Sequence, residues 1–384
     1  MKKEKKPKSK GQSWIPMLLS LLLGGCAGVL LLNYLIPLGE GLSLGQKLLL
    51  FVLTLLSLYA AMLLQIIIHE AGHLVFGLLT GYRFLSFRVF SLVLVKEEEK
   101  LRFRRYSLAG TAGQCLMIPP PLRDGTMPVL LYNFGGAILN LVTAALFFAL
   151  SLLLPPSSFL RLFLRLLALV GVYYALTNGI PLHLGPVDND GCNALSLLRS
   201  REAVRAFWIQ LKVNEQIAKG VRTKDMPEDW FALPSDEELQ RSSLSVAIGV
   251  LAANRLMDQH RFAEADALME RLLAMGSKLP GLYRAQLTCD RIFVELIGPN
   301  RPEVLSGFLS KEQQKLMQAM KTSLSVLRTT YALALFSEKD AAKAQKLAAE
   351  FDRVASRYPY PCEVEGEREL LQLAREAKEG APLT

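Results

Sequence analysis

Residues 46 to 80 form a nearly continuous apolar run, and comparable runs cover about 14 to 36, 129 to 154 and 159 to 180. Each reaches or exceeds the roughly 20 residues needed to cross a bilayer. Lipid offers backbone groups no hydrogen-bond partners, so runs of this length must be helical. The fold class expected is therefore mainly α, a polytopic membrane protein with four transmembrane helices.

The opening stretch "MKKEKKPKSKGQSW" is charged like the start of a signal peptide. The apolar run behind it is too long for one, and no A-x-A-like cleavage site follows. Residues 1 to 13 therefore read as a basic cytoplasmic tail ahead of a retained first span.

Orientation follows from flanking positive charge. The tail carries six lysines, while the connector "PLGEGLSLGQ" after the first span has no Lys or Arg. The connector 82 to 128 carries Arg83, Arg88, Lys96, Lys100, Arg102, Arg104, Arg105 and Arg123 and falls on the inner side by alternation. Charge and alternation agree, with Arg161 and Arg165 near the outer end of the fourth span as the one dissent. A multi-pass cell-membrane protein with a cytoplasmic N-terminus and C-terminal domain is expected.

The net charge of +9 sits in the first half: residues 1 to 191 hold 17 Lys+Arg against 9 Asp+Glu, and the remainder 27 against 26. With no general basic surface, a nucleic-acid partner is not expected. The five cysteines are scattered, odd in number and without C-x-x-C spacing, which argues against a disulfide framework or thiolate metal site. Cys192 lies close to the motif described next and reads as a small core residue.

The second run contains "LLQIIIHEAGHLVFGLL", residues 63 to 79. His69 and His73, four apart on a helix, share one face and can grip a single metal ion. Glu70 is placed to take a proton from water, whose pKa a bound zinc ion lowers to about 7. Ionisable groups at membrane depth are costly and mark function, and two of the four histidines in the chain fall in this motif. Gly72 and Gly77 read as helix-packing residues. A catalytic zinc site needs a third protein ligand, and "LTNGIPLHLGPVDNDGCNA", residues 176 to 194, returns to the same side. Lys47 to His69 spans about 33 Å at 1.5 Å per residue, which puts the histidines near that depth.

These residues resemble the site-2 protease family of intramembrane zinc metalloproteases. The carrying elements are His69-Glu70-Ala71-Gly72-His73, Asn178-Gly179-Ile180-Pro181 and Asp190-Gly191. The resemblance implies Asp190 as third ligand, with Asp188 as the alternative in "DND". It extends to Gly136-Ala137-Ile138-Leu139-Asn140 on the third span, where the family's proline is missing. It assigns Asn140, and Asn178 of the N-x-x-P element, to substrate binding; for Asn140 a hydrogen bond between spans is the plain alternative. His183 reads as a loop histidine. The implied chemistry is peptide hydrolysis with zinc on His69, His73 and Asp190 and Glu70 as general base. The implied substrate is a transmembrane protein or membrane-embedded peptide.

The connector "YRFLSFRVFSLVLVKEEEKLRFRRYSL" reads as a β-hairpin around "KEEEK". Relatives in the family carry such a hairpin, whose edge can take an unwound substrate as an added strand; simple packing on the bilayer surface is the other reading. The intramembrane domain is thus taken as 14 to 195, with this connector inside it.

Residues 196 to 384 show helical periodicity in "SLSVAIGVLAANRLMDQHRFAEADALMERLLAMG" and again in "VLRTTYALALFSEKDAAKAQKLAAEFDRVASRYP". Two helix-turn-helix units are expected, resembling tetratricopeptide-like hairpins, in a cytoplasmic domain that docks a partner protein or a substrate tail. Three readings compete with the site-2 type: a membrane metalloprotease with a glutamate ligand, a non-cleaving scaffold recruiting partners through the C-terminal domain, and a transporter. The spans after the second contain no glutamate, an intact Glu70 has no use in a scaffold, and four spans with one polar cluster give little to line a pathway.

Overall fold

The computed structural model describes residues 14–97, 100–105, 111–182, 188–275 and 279–379. The basic tail and His183 lie outside the described residues. The chain divides into two compact units. The first holds the helices α1 (Trp14–Gly39), α2 (Leu44–Leu79), α3 (Leu130–Leu152) and α4 (Phe159–Gly179). Residues 188 to 195, with the start of α5 (Asp190–Arg199), belong to it as well.

Three of these helices, α2, α3 and α4, are long and apolar enough to cross a membrane by length and composition. A shorter apolar stretch, Gly24–Pro37, lies within α1. α2 begins with a capping box in which Ser43 Oγ accepts from the Gln46 amide at 3.4 Å and Gln46 Oε1 accepts from the Ser43 amide at 2.9 Å. That exchange satisfies two amides the helix itself leaves open.

The first unit packs inside out relative to a water-soluble bundle. α2 buries Ala61, Gln65, His69, Glu70, Gly72 and His73, while Phe51, Leu56, Tyr59 and Leu78 point outward. Small and polar residues line the contacts, as expected where lipid is as apolar as leucine. The tightest crossing is at Gly72 and Gly135, where a methyl group on Gly72 would lie 2.2 Å from the Gly135 carbonyl oxygen. α2 and α3 therefore meet backbone to backbone directly beside the histidines. Leu162, Leu166, Leu167 and Val170 of α4 close an apolar core around Ala61.

The second unit holds the connector and the rest of the chain. The expected two-stranded hairpin is in fact a four-stranded antiparallel sheet of β1 (Arg83–Val89), β2 (Leu92–Glu97), β3 (Lys100–Arg105) and β4 (Gly113–Ile118), ordered β3-β2-β1-β4. The first β-rich run is cut in two by a turn at Phe90–Ser91, with Val89 paired to Leu92 and Phe90 at φ +53°. Neither turn residue is the Gly or Asn that usually marks such a turn. Buried Arg88 then ties down the return to β4 by donating to the carbonyls of Phe90 (2.8 Å) and Gly113 (3.2 Å).

The helices of this unit are α6 (Arg201–Ala218), α7 (Asp236–Arg241), α8 (Ser243–Asp258), α9 (Phe262–Leu273) and α10 (Gly281–Ile297), continuing through α11 (Pro302–Phe308), α12 (Lys311–Ala319), α13 (Leu324–Ala332), α14 (Ala341–Ala355) and α15 (Pro361–Glu379). Both expected helix pairs are present: α8 packs on α9 and α13 on α14. One apolar core runs through α8, α9, α10, α13, α14 and α15, with Phe293, Leu287, Met269 and Phe351 fully enclosed. The sheet joins this unit through α6, where Trp208 Nε1 donates to the Pro120 carbonyl at 3.0 Å.

Candidate metal centre

His69, His73 and Asp190 meet at one point in the first unit, and their ligand atoms all lie within 4.8 Å of one another. His69 Nε2 is 3.0 Å from Asp190 Oδ2, His73 Nε2 is 3.4 Å from the same oxygen, and the two Nε2 atoms are 3.2 Å apart. Two ligands held about 2.0–2.1 Å from a tetrahedral ion sit about 3.3 Å apart, so this triangle has the size that one ion spans.

The outer nitrogens decide what the inner ones can do. His73 Nδ1 lies 2.7 Å from the Tyr132 carbonyl oxygen, which only accepts, so Nδ1 carries the proton. His69 Nδ1 is 2.8 Å from Asn140 Oδ1. The Asn140 amide cannot be turned round, because its Nδ2 must donate to the Gln65 carbonyl at 3.0 Å. Both Nε2 atoms therefore present lone pairs toward each other and toward a carboxylate. Three acceptors converging on one point are stable only if a positive charge sits among them, and a metal ion or added protons supply it. The histidines are buried, at 8% exposure each, and Asp190 is partly buried.

Local sequence explains how each arm arrives. The helical spacing of four stacks the two rings on one face, and Gly136 makes room for one of them: a methyl group there would lie 2.5 Å from the His69 ring. Asp190 opens α5, and the residue before it fixes that start. Asn189 Oδ1 accepts from the amides of Cys192 (2.9 Å) and Leu182 (3.3 Å), while Nδ2 donates to the carbonyls of Thr177 (2.7 Å) and Ile180 (2.6 Å). One side chain thus caps α5 and clasps it to the end of α4. Gly191 completes the contact, since a Cβ there would meet the Gly179 carbonyl oxygen at 2.5 Å.

Of the two carboxylates in "DND", Asp190 joins the triad and Asp188 does not. Glu70 is buried at 8% exposure, next to His69 on α2. Asn140 is fully enclosed, with Oδ1 engaged by His69 and Nδ2 by Gln65 O and Gln65 Oε1 (2.6 Å). Both of its polar atoms are thus engaged between helices, the arrangement named above as the plain alternative to substrate binding. Asn178 turns its amide nitrogen back onto the Tyr174 carbonyl at 2.9 Å, within its own helix. Burial pushes the Cys192 thiol up to about 11, consistent with a small core residue. Sequence reasoning missed Gln65, Tyr132 and Asn189. Gln65 left a signal, a polar residue one turn before His69 in an apolar run.

Comparison with known protein families, curated proteins and solved structures finds no match to this chain.

Proposed function

We propose that the chain is an intramembrane zinc endopeptidase that hydrolyses peptide bonds in or near transmembrane segments of membrane-anchored proteins. The observation that carries this reading is the convergence of three acceptor atoms, from His69, His73 and Asp190, with both histidines on a helix apolar enough to span a membrane. Two imidazoles and one carboxylate are the donor set that zinc favours, whereas calcium and magnesium take oxygen ligands. The resemblance to site-2 proteases supports it through the same residues plus Asn178, Pro181 and Gly191.

When bound, zinc polarises the scissile carbonyl and lowers the pKa of water. Glu70, beside His69 and buried, accepts the proton from the attacking water and returns it to the leaving amine. The donor bonds on the far sides of both imidazoles hold the rings still while this happens. α1 is read as a fourth span, with the N-terminus and second unit cytoplasmic. β3, an edge strand with Leu101 58% and Phe103 70% exposed, supports the addition of an unwound substrate strand.

The test is proteomics of membrane fractions from cells carrying either wild-type protein or Glu70→Gln. Truncated membrane proteins that stay intact only in the variant are expected. Identical profiles would favour a scaffold that recruits partners without cutting.

A further inference from the structure

Behind His69 runs a chain of side-chain amides that the catalytic motif does not contain. Asn140 Oδ1 accepts from His69 Nδ1 at 2.8 Å, and Asn140 Nδ2 donates to both Gln65 O (3.0 Å) and Gln65 Oε1 (2.6 Å). Gln65 Nε2 in turn donates to the Leu167 carbonyl on α4 at 2.9 Å. Both amides have 0% exposure. Each amide donates to a backbone carbonyl, Asn140 to Gln65 O and Gln65 to Leu167 O, so every donor and acceptor along the chain has one allowed direction.

We propose that Gln65 and Asn140 act as a positioning pair that selects the metal-binding tautomer of His69. A flipped Asn140 would reverse this selection. It would aim its NH2 at His69 Nδ1, which would have to become the acceptor, and the ring proton would move to Nε2. A protonated Nε2 cannot bind a metal. Gln65 opposes the flip with two acceptors at once, its own carbonyl and Oε1, against which a flipped carbonyl oxygen would be repelled. The Leu167 carbonyl then stops Gln65 from turning its own amide to relieve that conflict. Gly171 keeps the space for this pair, since a Cβ there would lie 2.8 Å from Gln65 Nε2. Partners of this kind behind a ligating histidine contribute about 10–100-fold in metal affinity.

This inference rests on the metal reading above, and the experiment separates the two. Zinc affinity of the full-length, detergent-solubilised protein is measured by competition with a chromophoric chelator, and the visible d–d bands are recorded after cobalt loading. Asn140→Leu is expected to weaken zinc binding by about 10–100-fold and to alter the cobalt bands. Gln65→Met, which keeps the volume and so the fold, is expected to shift both readouts in the same direction. Gln65→Glu, as the neutral acid, keeps an acceptor for Asn140 Nδ2 and a donor for the Leu167 carbonyl and is expected to recover affinity close to wild type. If wild type binds one ion and Gln65→Met matches it in affinity and spectrum, the pair is only helix packing and the inference falls while the metal site stands. If wild type binds no zinc or cobalt, both fall. Should Asn140→Leu fail to fold, Gln65→Met and Gln65→Glu decide the matter by themselves.

Discussion

The Tyr132 carbonyl oxygen accepts from His73 Nδ1 at 2.7 Å, so a backbone atom of α3 orients a side chain of the candidate metal centre on α2. The bond therefore depends on how closely the two helices approach and little on the side chain at 132. Tyr132→Phe is expected to leave zinc affinity unchanged. Gly72→Ala, which would press a methyl group to 2.2 Å from the Gly135 carbonyl oxygen, must push the helices apart. Overpacking of this kind costs about 1–3 kcal/mol, and zinc affinity measured by chelator competition is expected to fall at least tenfold, in the range of lost outer partners.

The clamp around Asn189 makes a separate demand. Asp190→Asn removes the proposed third ligand and is expected to cut zinc affinity by more than about 100-fold, beyond the loss of an outer partner, whereas Asp188→Asn is expected to leave it unchanged. Asn189→Ala deletes the α5 cap, at a cost of about 1 kcal/mol, and frees the α4 end from it. The position of Asp190 then loosens, so Asn189→Ala is expected to weaken zinc binding although it touches no metal. Equal affinity for Asp188→Asn and Asp190→Asn would remove Asp190 from the triad.

The site was legible in the sequence where its geometry is local. His69, Glu70 and His73 lie on one helical turn, and Asp190 was implied by the resemblance to site-2 proteases through Asp190-Gly191. What could not be read is held by long-range contacts: Gln65 meets Asn140 across 75 positions, and Gly136 matters only because α3 passes over the His69 ring. The sheet shows the same limit. Alternating β-rich runs were visible, but the Phe90–Ser91 turn carries neither Gly nor Asn, and β4 finds its place only by pairing with β1. In the second unit, helical period revealed α8, α9, α13 and α14 because burial of one face repeats along each.

That period gave no hint of a charge cluster inside the second unit. Arg328 on α13 is 1% exposed; it bonds Asp290 on α10, approaches Glu367 on α15 at 3.3 Å and lies 4.3 Å over the Phe293 ring. Arg328→Met would leave two carboxylates without their cation, and breaking a buried pair in this way costs about 3–5 kcal/mol. A large drop in the melting temperature of the second unit is expected, followed by the fluorescence of Trp208 and Trp230. The triple change Arg328→Met, Asp290→Leu, Glu367→Leu removes every member together and is expected to regain most of that loss.

The same region sets how stability responds to pH. Burial pushes the carboxyls of Glu363 and Glu367 up from the usual 4.5 to about 7, with the Arg328 charge partly opposing the shift at Glu367. A folded value above the unfolded one means that stability is complete below pH 4.5 and lost as pH rises to about 7. Within that window the unfolded chain ionises while the folded chain still holds its protons, so unfolding gains. Carboxyls lowered by ion pairs, such as Glu215 beside Lys212 and Glu295 beside Arg301, act only at more acid pH and do not offset it. The second unit is therefore expected to melt at a lower temperature at pH 8 than at pH 5, by tryptophan fluorescence of the full-length protein. Glu363→Gln with Glu367→Gln should flatten the profile, and an undiminished slope in that double variant would assign the pH response to other groups.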